Sequence, residues 1–294
     1  DDDDTTDDDD SADDDDSAAV DGDGDGSASD VDCDDGNAAV HPGATEVCGS
    51  GTDEDCVPET NCDDTCLATF DYSLCAALPT PIPAHLHWDY ENATSTTIAD
   101  AGSSATTGYL SGAPTFGPGL RGDAVTLDGA SHVAASGALS IPTNAFTMVT
   151  WVRSAATDNT GAYHFLMSSG SGVPSYTGAG LYLSAGTGTG GLLENGSQAG
   201  ERTPAGTAVC DGLWSQVALT FDVGAAGIWV NGLLTPVNAN WSDVAWGARP
   251  FWVGNDPNNT ARAVTGEIDE TMVFTTALDA QDLADLRTTA LCGR

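Results

Sequence analysis

The chain of 294 residues carries 45 acidic and 7 basic side chains, a formal net charge of −38, and every base is Arg. With no basic stripe to release counterions, nucleic-acid binding through phosphates is excluded, and an anionic membrane surface would repel the chain. No apolar run approaches the ~20 residues of a transmembrane segment. The charge is uneven, because residues 1–69 hold 26 acids and no base, while 70–294 hold 19 acids and all 7 Arg. The first residue is Asp and no signal peptide is visible, so the chain reads as a processed or excerpted form.

Residues 1–20, DDDDTTDDDDSADDDDSAAV, hold twelve Asp and almost nothing to bury. Like charges at this density repel, and the segment is expected to be an extended acidic tether. Residues 21–78 are rich in Asp, Gly and Cys and read as a small metal-binding module. Its sharpest element is D21-G-D23-G-D25-G-S27-A-S29-D-V-D32, which puts carboxylates at loop positions 1, 3, 5 and 12 and Gly26 at position 6. That is the spacing of an EF-hand calcium loop, with Asp instead of Glu at position 12. Calcium takes six to eight oxygens, and alternate Asp residues on a curling loop aim their carboxylates at one point. Asp21, Asp23, Asp25 and Asp32 are the expected side-chain ligands, with the Ser27 carbonyl as the backbone ligand. No amphipathic helix flanks the loop, so an ion site is expected without an EF-hand fold.

More oxygen donors follow: Asp34, Asp35, Asn37, Glu46, Asp53 and Asp55 surround Cys33, Cys48 and Cys56. Cross-linking these cysteines would fold the carboxylates together, and a cation would remove the repulsion opposing it. A second calcium is therefore expected there. Eight cysteines stand at 33, 48, 56, 62, 66, 75, 210 and 292, six of them in a segment too poor in apolar residues to build its own core. Disulfides in an oxidising compartment are the expected use. Zinc is the competing use, but there is no C-x2-C pair and no H-x3–5-H nearby. Six clustered cysteines leave the pairing open, with Cys210 and Cys292 the simplest remaining pair.

PTPIP at 79–83 reads as a stiff linker over 79–84. From 85 to 294 the pattern is that of strands. FTMVTWVR (146–153), LWSQVALTF (213–221), GIWVNG (227–232) and EIDETMVF (267–274) alternate and favour β-branched and aromatic residues, with Gly-rich turns between them. Asn231-Gly232 signals a two-residue hairpin turn. The fold class is all-β, a two-sheet β-sandwich preceded by a small disulfide-rich acidic module. A short helix closes the chain, capped by Asp279 with Asp282 at the fourth place of the box.

The stretch from Asp21 to Cys56, D-G-D-G-D-G-x5-D-C-D-D-x5-H-P-G-A-T-E-V-C…D-E-D-C, resembles the metal-binding-motif repeat of exported bacterial proteins named after the copper-associated surface protein MopE. It is also similar to thrombospondin type 3 calcium repeats. The resemblance implies metal binding, and the hard carboxylate ligands point to Ca²⁺ rather than copper. His41, the only imidazole of the segment, is expected in the turn before Pro42. Residues 85–294 resemble LamG-like jelly-roll domains of the concanavalin A-like lectin/glucanase superfamily. The stretches that carry this are 85–133, FTMVTWVRS (146–154), DGLWSQVALTFDVGAAGIWVNG (211–232) and GEIDETMVFTTALDAQDLADL (266–286). Members include carbohydrate binders, adhesion modules and spacers, so the resemblance implies the fold more narrowly than the function.

Some relatives in this superfamily are glycosidases, and a retaining mechanism needs two carboxyls ~5–5.5 Å apart. The candidate string is Glu267-Ile268-Asp269-Glu270. On a regular strand Glu267, Asp269 and Thr271 share a face while Glu270 points away, and position 272 is Met, so the third acid of the glucanase pattern is missing. His85 and His87 are expected on the wetter face of the first strand. Trp151, Trp214 and Trp229 read as core. Trp241 and Trp246, in the polar NANWSDVAWGARP stretch, are the candidate sugar platforms, with packing under a loop as the alternative. The reading is a secreted or cell-surface, calcium-stabilised, non-catalytic binding or adhesion protein with a glycan or protein ligand. The alternatives are a self-assembling subunit of an extracellular filament or sheath, binding copies of itself, and a glycoside hydrolase-like enzyme.

Overall fold

The alternation from residue 86 onward becomes pleated strands, and their inward positions become one core. The structure is a computed structural model that describes residues 20–44, 56, 72–155, 157–161, 163–171, 177–184, 188–195, 201–209, 212–237, 242–246, 250–257 and 259–292. The chain divides into two compact units, 1–70 and 71–294. In the second unit the first strands are β1 (Leu86–Trp88), β2 (Thr97–Ile98), β3 (Gly108–Ser111), β4 (Thr115–Pro118), β5 (Asp123–Asp128) and β6 (His132–Ala135). The middle ones are β7 (Ala145–Arg153), β8 (His164–Ser171), β9 (Thr177–Ser184), β10 (Gly188–Asn195) and β11 (Glu201–Ala208). The last are β12 (Ser215–Asp222), β13 (Ala225–Val230), β14 (Leu233–Val237), β15 (Phe251–Val253) and β16 (Thr265–Phe274), followed by helix α1 (Ala280–Cys292).

These strands form two antiparallel sheets, as expected of a jelly-roll sandwich. One runs β14-β13-β12-β7-β16-β5-β4 with β1 also on β16, and the other runs β11-β10-β9-β8-β15-β6-β3-β2. Between them lies a buried cluster that includes Leu86, Trp88, Val125, Phe146, Met148, Leu181, Leu219, Ile228, Phe251 and Val273. Fully burying one such side chain is worth about 1.5–3 kcal/mol, so the interface between the sheets dominates stability. Trp88 meets its polar obligation there by donating its indole N–H to the Thr106 carbonyl at 3.0 Å. The β13–β14 connection is the expected two-residue turn, with Val230 opposite Leu233 and both Asn231 (φ 50) and Gly232 (φ 85) left-handed.

A second, smaller cluster covers the other face of the β7/β12/β16 sheet. Leu278, Leu283 and Leu286 of α1 and its approach pack on Val149, Ala218 and Phe274, joined by Ala84 and the half-buried Ile82 and Trp229. The proline run at 79–84 therefore lies against the sandwich. The segment before it is tied down covalently, because Cys75 is bonded to Cys292. This corrects the expected Cys210–Cys292 pair. The helix ends beside the 3-10 turn Tyr72–Ala76, and that contact decides the partner of Cys292. Cys48, Cys62, Cys66 and Cys210 lie outside the described residues.

The histidines of the first strand also differ from expectation. Leu86 and Trp88 do face the core, yet His87 on the opposite side is only 23% exposed and is paired with Glu270. That face is partly covered by α1 and the 78–84 segment, so it is narrower and drier than an open sheet face.

Candidate functional site

The acidic loop is built from a series of Asp side chains that bond the backbone two to five residues ahead. Asp21 accepts the N–H groups of Gly24 (2.7 Å) and Gly26 (3.1 Å). Asp23 Oδ1 accepts from Asp25, Asp25 Oδ1 from Ser27, and Asp32 Oδ1 from Asp34, at 3.2, 2.7 and 2.9 Å. Each of these last three uses one oxygen to turn the chain and leaves the other free. The remaining Oδ2 atoms of Asp23, Asp25 and Asp32 are buried and have no hydrogen-bond partner. Gly26, at φ 104, supplies the left-handed residue that the turn requires. The Ser29 N–H donates to the Val20 carbonyl at 3.0 Å and closes the loop, while the Ala28 carbonyl accepts from Val31 and Asp32 and brings Asp32 back.

One oxygen each from Asp21, Asp23 and Asp25 lie within 4.8 Å of one another. Asp32 belongs to the same group electrostatically. Partial burial raises the Asp23 carboxyl above its ordinary value, and repulsion from Asp25, Asp32 and Asp21 adds to it, against a backbone N–H from Asp25 that lowers it. Buried, unpartnered carboxylate oxygens are costly, and a divalent cation among them would remove both the burial penalty and the repulsion. The residues present thus fit a hard cation with oxygen ligands.

The other acids are arranged differently. Asp35 braces the loop entrance: its Oδ1 accepts the Gly22 N–H at 2.8 Å, and a Cβ on Gly22 would come within 2.5 Å of the Asp35 carbonyl oxygen. Asp34 joins no such carboxylate cluster among the described residues, and Asn37 Oδ1 turns toward the Ala39 N–H at 3.4 Å. Asp32 also lies near Cys33 and Cys56, but these are bonded to each other, so they offer no thiolate. The disulfide instead pins the chain beside Asp32. Glu46, Asp53 and Asp55 lie outside the described residues. His41 has its Nδ1 3.3 Å from the Pro42 carbonyl, in the turn.

The carboxylate string of β16 departs from simple alternation. The register against β7 slips between Asp269 and Met272, and Glu270 has φ 47, a β-bulge. Below it β16 pairs with β5 through residues 265–268, and above it with β1 through 271–273. The extra residue turns Thr271 inward, where its hydroxyl lies 2.8 Å from Tyr90 Oη and 3.1 Å from Thr150 Oγ1. Glu270 goes to the other face, where it meets His87 Nε2 at 2.7 Å. The expectation that Thr271 faces with Asp269 is corrected accordingly.

Each acid of the string is engaged. Glu267 pairs with Arg153, which also lies over the Trp214 ring at 5.2 Å. Asp269 accepts the N–H groups of Arg121 (3.0 Å) and Glu270 (2.7 Å) and is fully buried. Burial pushes its carboxyl up to about 7, with Glu270 adding repulsion and the backbone N–H groups opposing. Burial also opposes the His87 charge, but the hydrogen bond and charge of Glu270 outweigh it and raise the imidazole above its ordinary value. His87, Glu270 and Arg121 line a cleft of about 650 Å³ between the 78–84 segment, the 101–103 turn, β16 and α1. Sequence reasoning missed this cleft. Its only trace is the tandem Asp269-Glu270 inside an otherwise alternating strand.

Trp246 is a packing residue: it stands edge-on to Phe146 at 4.9 Å and donates its indole N–H to the Pro142 carbonyl at 2.9 Å. Trp241 lies outside the described residues. Among the described residues, no helix is long and apolar enough to cross a membrane.

The family described as "Concanavalin A-like lectin/glucanases superfamily" matches residues 127–284, more than half of the chain. The family described as "Putative metal-binding motif" matches residues 32–66, so it takes in Asp32, Asp34, Asp35 and Asn37 but not Asp21, Asp23 or Asp25. No curated protein matches the chain. Domain 4 of a GH43 extracellular arabinanase from Geobacillus stearothermophilus, solved in complex with arabinotriose, is similar at a TM-score of 0.54 and 22% identity, over 69% of this chain and 98% of that one. The botulinum neurotoxin serotype G binding domain is similar at 0.56 and 17%, over 69% and 50%. The binding domain of botulinum neurotoxin DC, in complex with SialylT, follows at 0.53 and 13%, over 71% and 51%. The chain spans about half the length of these neurotoxin binding domains. At such identities the likeness establishes the fold.

Proposed function

The chain belongs to the concanavalin A-like lectin/glucanases superfamily, and from that premise we propose that it is an exported, non-catalytic binding protein whose sandwich takes a glycan or protein ligand and whose acidic module is stabilised by Ca²⁺. The observation that most supports the non-catalytic part is the engagement of every acid on β16. Glu267 is held by Arg153, Asp269 by backbone N–H groups, and Glu270 by His87. A retaining glycosidase needs two carboxyls facing one scissile bond, one of them ionised and accessible. Asp269 is sealed from any substrate.

Binding is supported by the company the fold keeps, since similar structures include an arabinanase domain in complex with arabinotriose and a neurotoxin binding domain in complex with SialylT. Calcium is supported by an all-oxygen donor set on an irregular loop, which suits its adaptable coordination better than the strict octahedron of Mg²⁺. Export is supported by two disulfides among the described residues, Cys33–Cys56 and Cys75–Cys292, since such bonds persist in oxidising compartments. One feature favours the hydrolase alternative: an acid near pH 7, Asp269, directly beside Glu270.

The test is a glycan array probed with the full chain in calcium, beside a hydrolysis assay on a glucan and arabinan panel. The expected result is retention on at least one glycan class without release of reducing sugar. Turnover that disappears in Asp269→Asn or Glu270→Gln overturns the non-catalytic reading. An array with no retained glycan removes the lectin part.

A further inference from the structure

We propose that the cleft beneath the 78–84 segment binds a small aliphatic carboxylate, with its head at Arg121 and its chain along Ile82, Met272 and Leu286. This goes beyond the reading above, since neither the metal loop nor a glycan takes part. At about 650 Å³ the cleft has the size of small-molecule sites, ~300–1,000 Å³. It is also preformed. The covering segment is anchored upstream by the Cys75–Cys292 bond and downstream by the His85 N–H, which donates to the Val273 carbonyl at 2.8 Å.

The lining decides the ligand chemistry. No Phe, Tyr or Trp is among the lining residues, so there is no broad platform for a sugar, whereas the walls of Ile82, Met272 and Leu286 suit an alkyl chain. The exposed Leu78 continues this apolar surface at the edge of the cleft. At the floor, Glu270 is 3% exposed and its Oε2 is held by His87 Nε2 at 2.7 Å. Asp285 has one oxygen occupied by the Gln281 amide at 2.8 Å. Arg121 is different. In a chain with 45 acids and 7 Arg, Arg153 and Arg262 each hold a carboxylate, but Arg121 has no acid partner among the described residues. A guanidinium fork at the end of an apolar cleft matches a planar carboxylate in two parallel hydrogen bonds. The acid excess of the chain disfavours a doubly charged head such as a phosphate monoester more than a single charge.

The experiment uses the full chain and sodium octanoate, with acetate and octylammonium as controls. The chain has three Met, and only Met272 lines the cleft, while Met148 and Met167 sit in the core between the sheets. Octanoate is expected to move the Met272 methyl resonance saturably and leave the other two in place. Acetate, lacking the chain, and octylammonium, with the wrong charge, should bind about tenfold more weakly or less. Arg121→Gln should weaken octanoate about tenfold, the loss of a charge-assisted hydrogen bond. Its side chain is exposed and only its backbone N–H braces Asp269, so folding is preserved. The proposal is overturned by unsaturable octanoate binding, by an unmoved Met272 methyl, or by equal affinity in Arg121→Gln. Calcium and glycan results bear on the separate reading above and leave this outcome unaffected.

Discussion

Asp269 and Glu270 show how much one inserted residue changes. As neighbours on a regular strand they would face opposite ways, but the bulge at φ 47 gives each its own polar partner, backbone N–H groups for Asp269 and His87 for Glu270. The consequence is a pH dependence of stability. The folded carboxyl of Asp269 is raised from 3.8 to about 7, so the native state holds its proton more tightly than the unfolded chain. Its contribution is complete below about pH 4 and is lost as pH rises towards 7. His87 is raised above 6.5, so its contribution is present below that value and lost as pH rises through its higher folded value. Asp100 runs the other way: burial opposes its charge, but hydrogen bonds from Ser104, His87, Thr106 and Gly102 lower it, so its contribution is lost in acid. Thermal melting of the sandwich is therefore expected to be highest in mildly acidic buffer. Asp269→Asn should lose most at pH 5 and least at pH 8. An offset from the parent that is the same at both pH values would reject the assignment to Asp269.

At the scale of elements, local chemistry was legible wherever it acts through neighbours in sequence. Asn231-Gly232 forms its hairpin because both residues tolerate positive φ. Asp279 caps α1 because its Oδ1 accepts the N–H groups of Gln281 and Asp282 at 2.8 and 2.9 Å, while Asp282 Oδ2 returns to the Asp279 N–H at 3.1 Å. Asp279→Ala should then cost about 1 kcal/mol in denaturant titration, or about 2–4 °C in melting temperature for a unit of this size. No change would mean that the Cys75–Cys292 bond, rather than the cap, holds the helix. What sequence reading missed depends on tertiary placement. Period-2 alternation cannot reveal a bulge, so Glu270 was assigned without its partner. The polar face of β1 looks wet until α1 and the 78–84 segment cover it. Cys292 pairs with Cys75, 217 residues away, because the helix end and the 3-10 turn meet, which spacing alone does not encode.

At the scale of the whole chain, the acid excess is handled in two ways. The unit 71–294 pairs or caps its buried acids with its own groups, as at Asp269, Glu270 and Asp256, the last paired with Arg262 at 2.6 Å. The described part of the unit 1–70 has no base at all and leaves three buried carboxylate oxygens open. Its stability should therefore depend on a cation and that of the sandwich should not. Ligand linkage sets the scale, about 2.7 kcal/mol when free calcium is 100 times its dissociation constant. Adding a chelator is expected to expose residues 20–44 to limited proteolysis while the sandwich keeps its melting temperature. Asp23→Ala and Asp25→Ala should each remove the calcorimetric heat of calcium binding and reproduce the chelated cleavage pattern. Magnesium at equal concentration should protect less, because Mg²⁺ demands a near-ideal octahedron and gives up its waters reluctantly, whereas Ca²⁺ accepts irregular oxygen sets. A chain that shows no calcium heat, or whose cleavage is indifferent to chelator, would leave those three oxygens without a ligand and remove calcium from the proposed function.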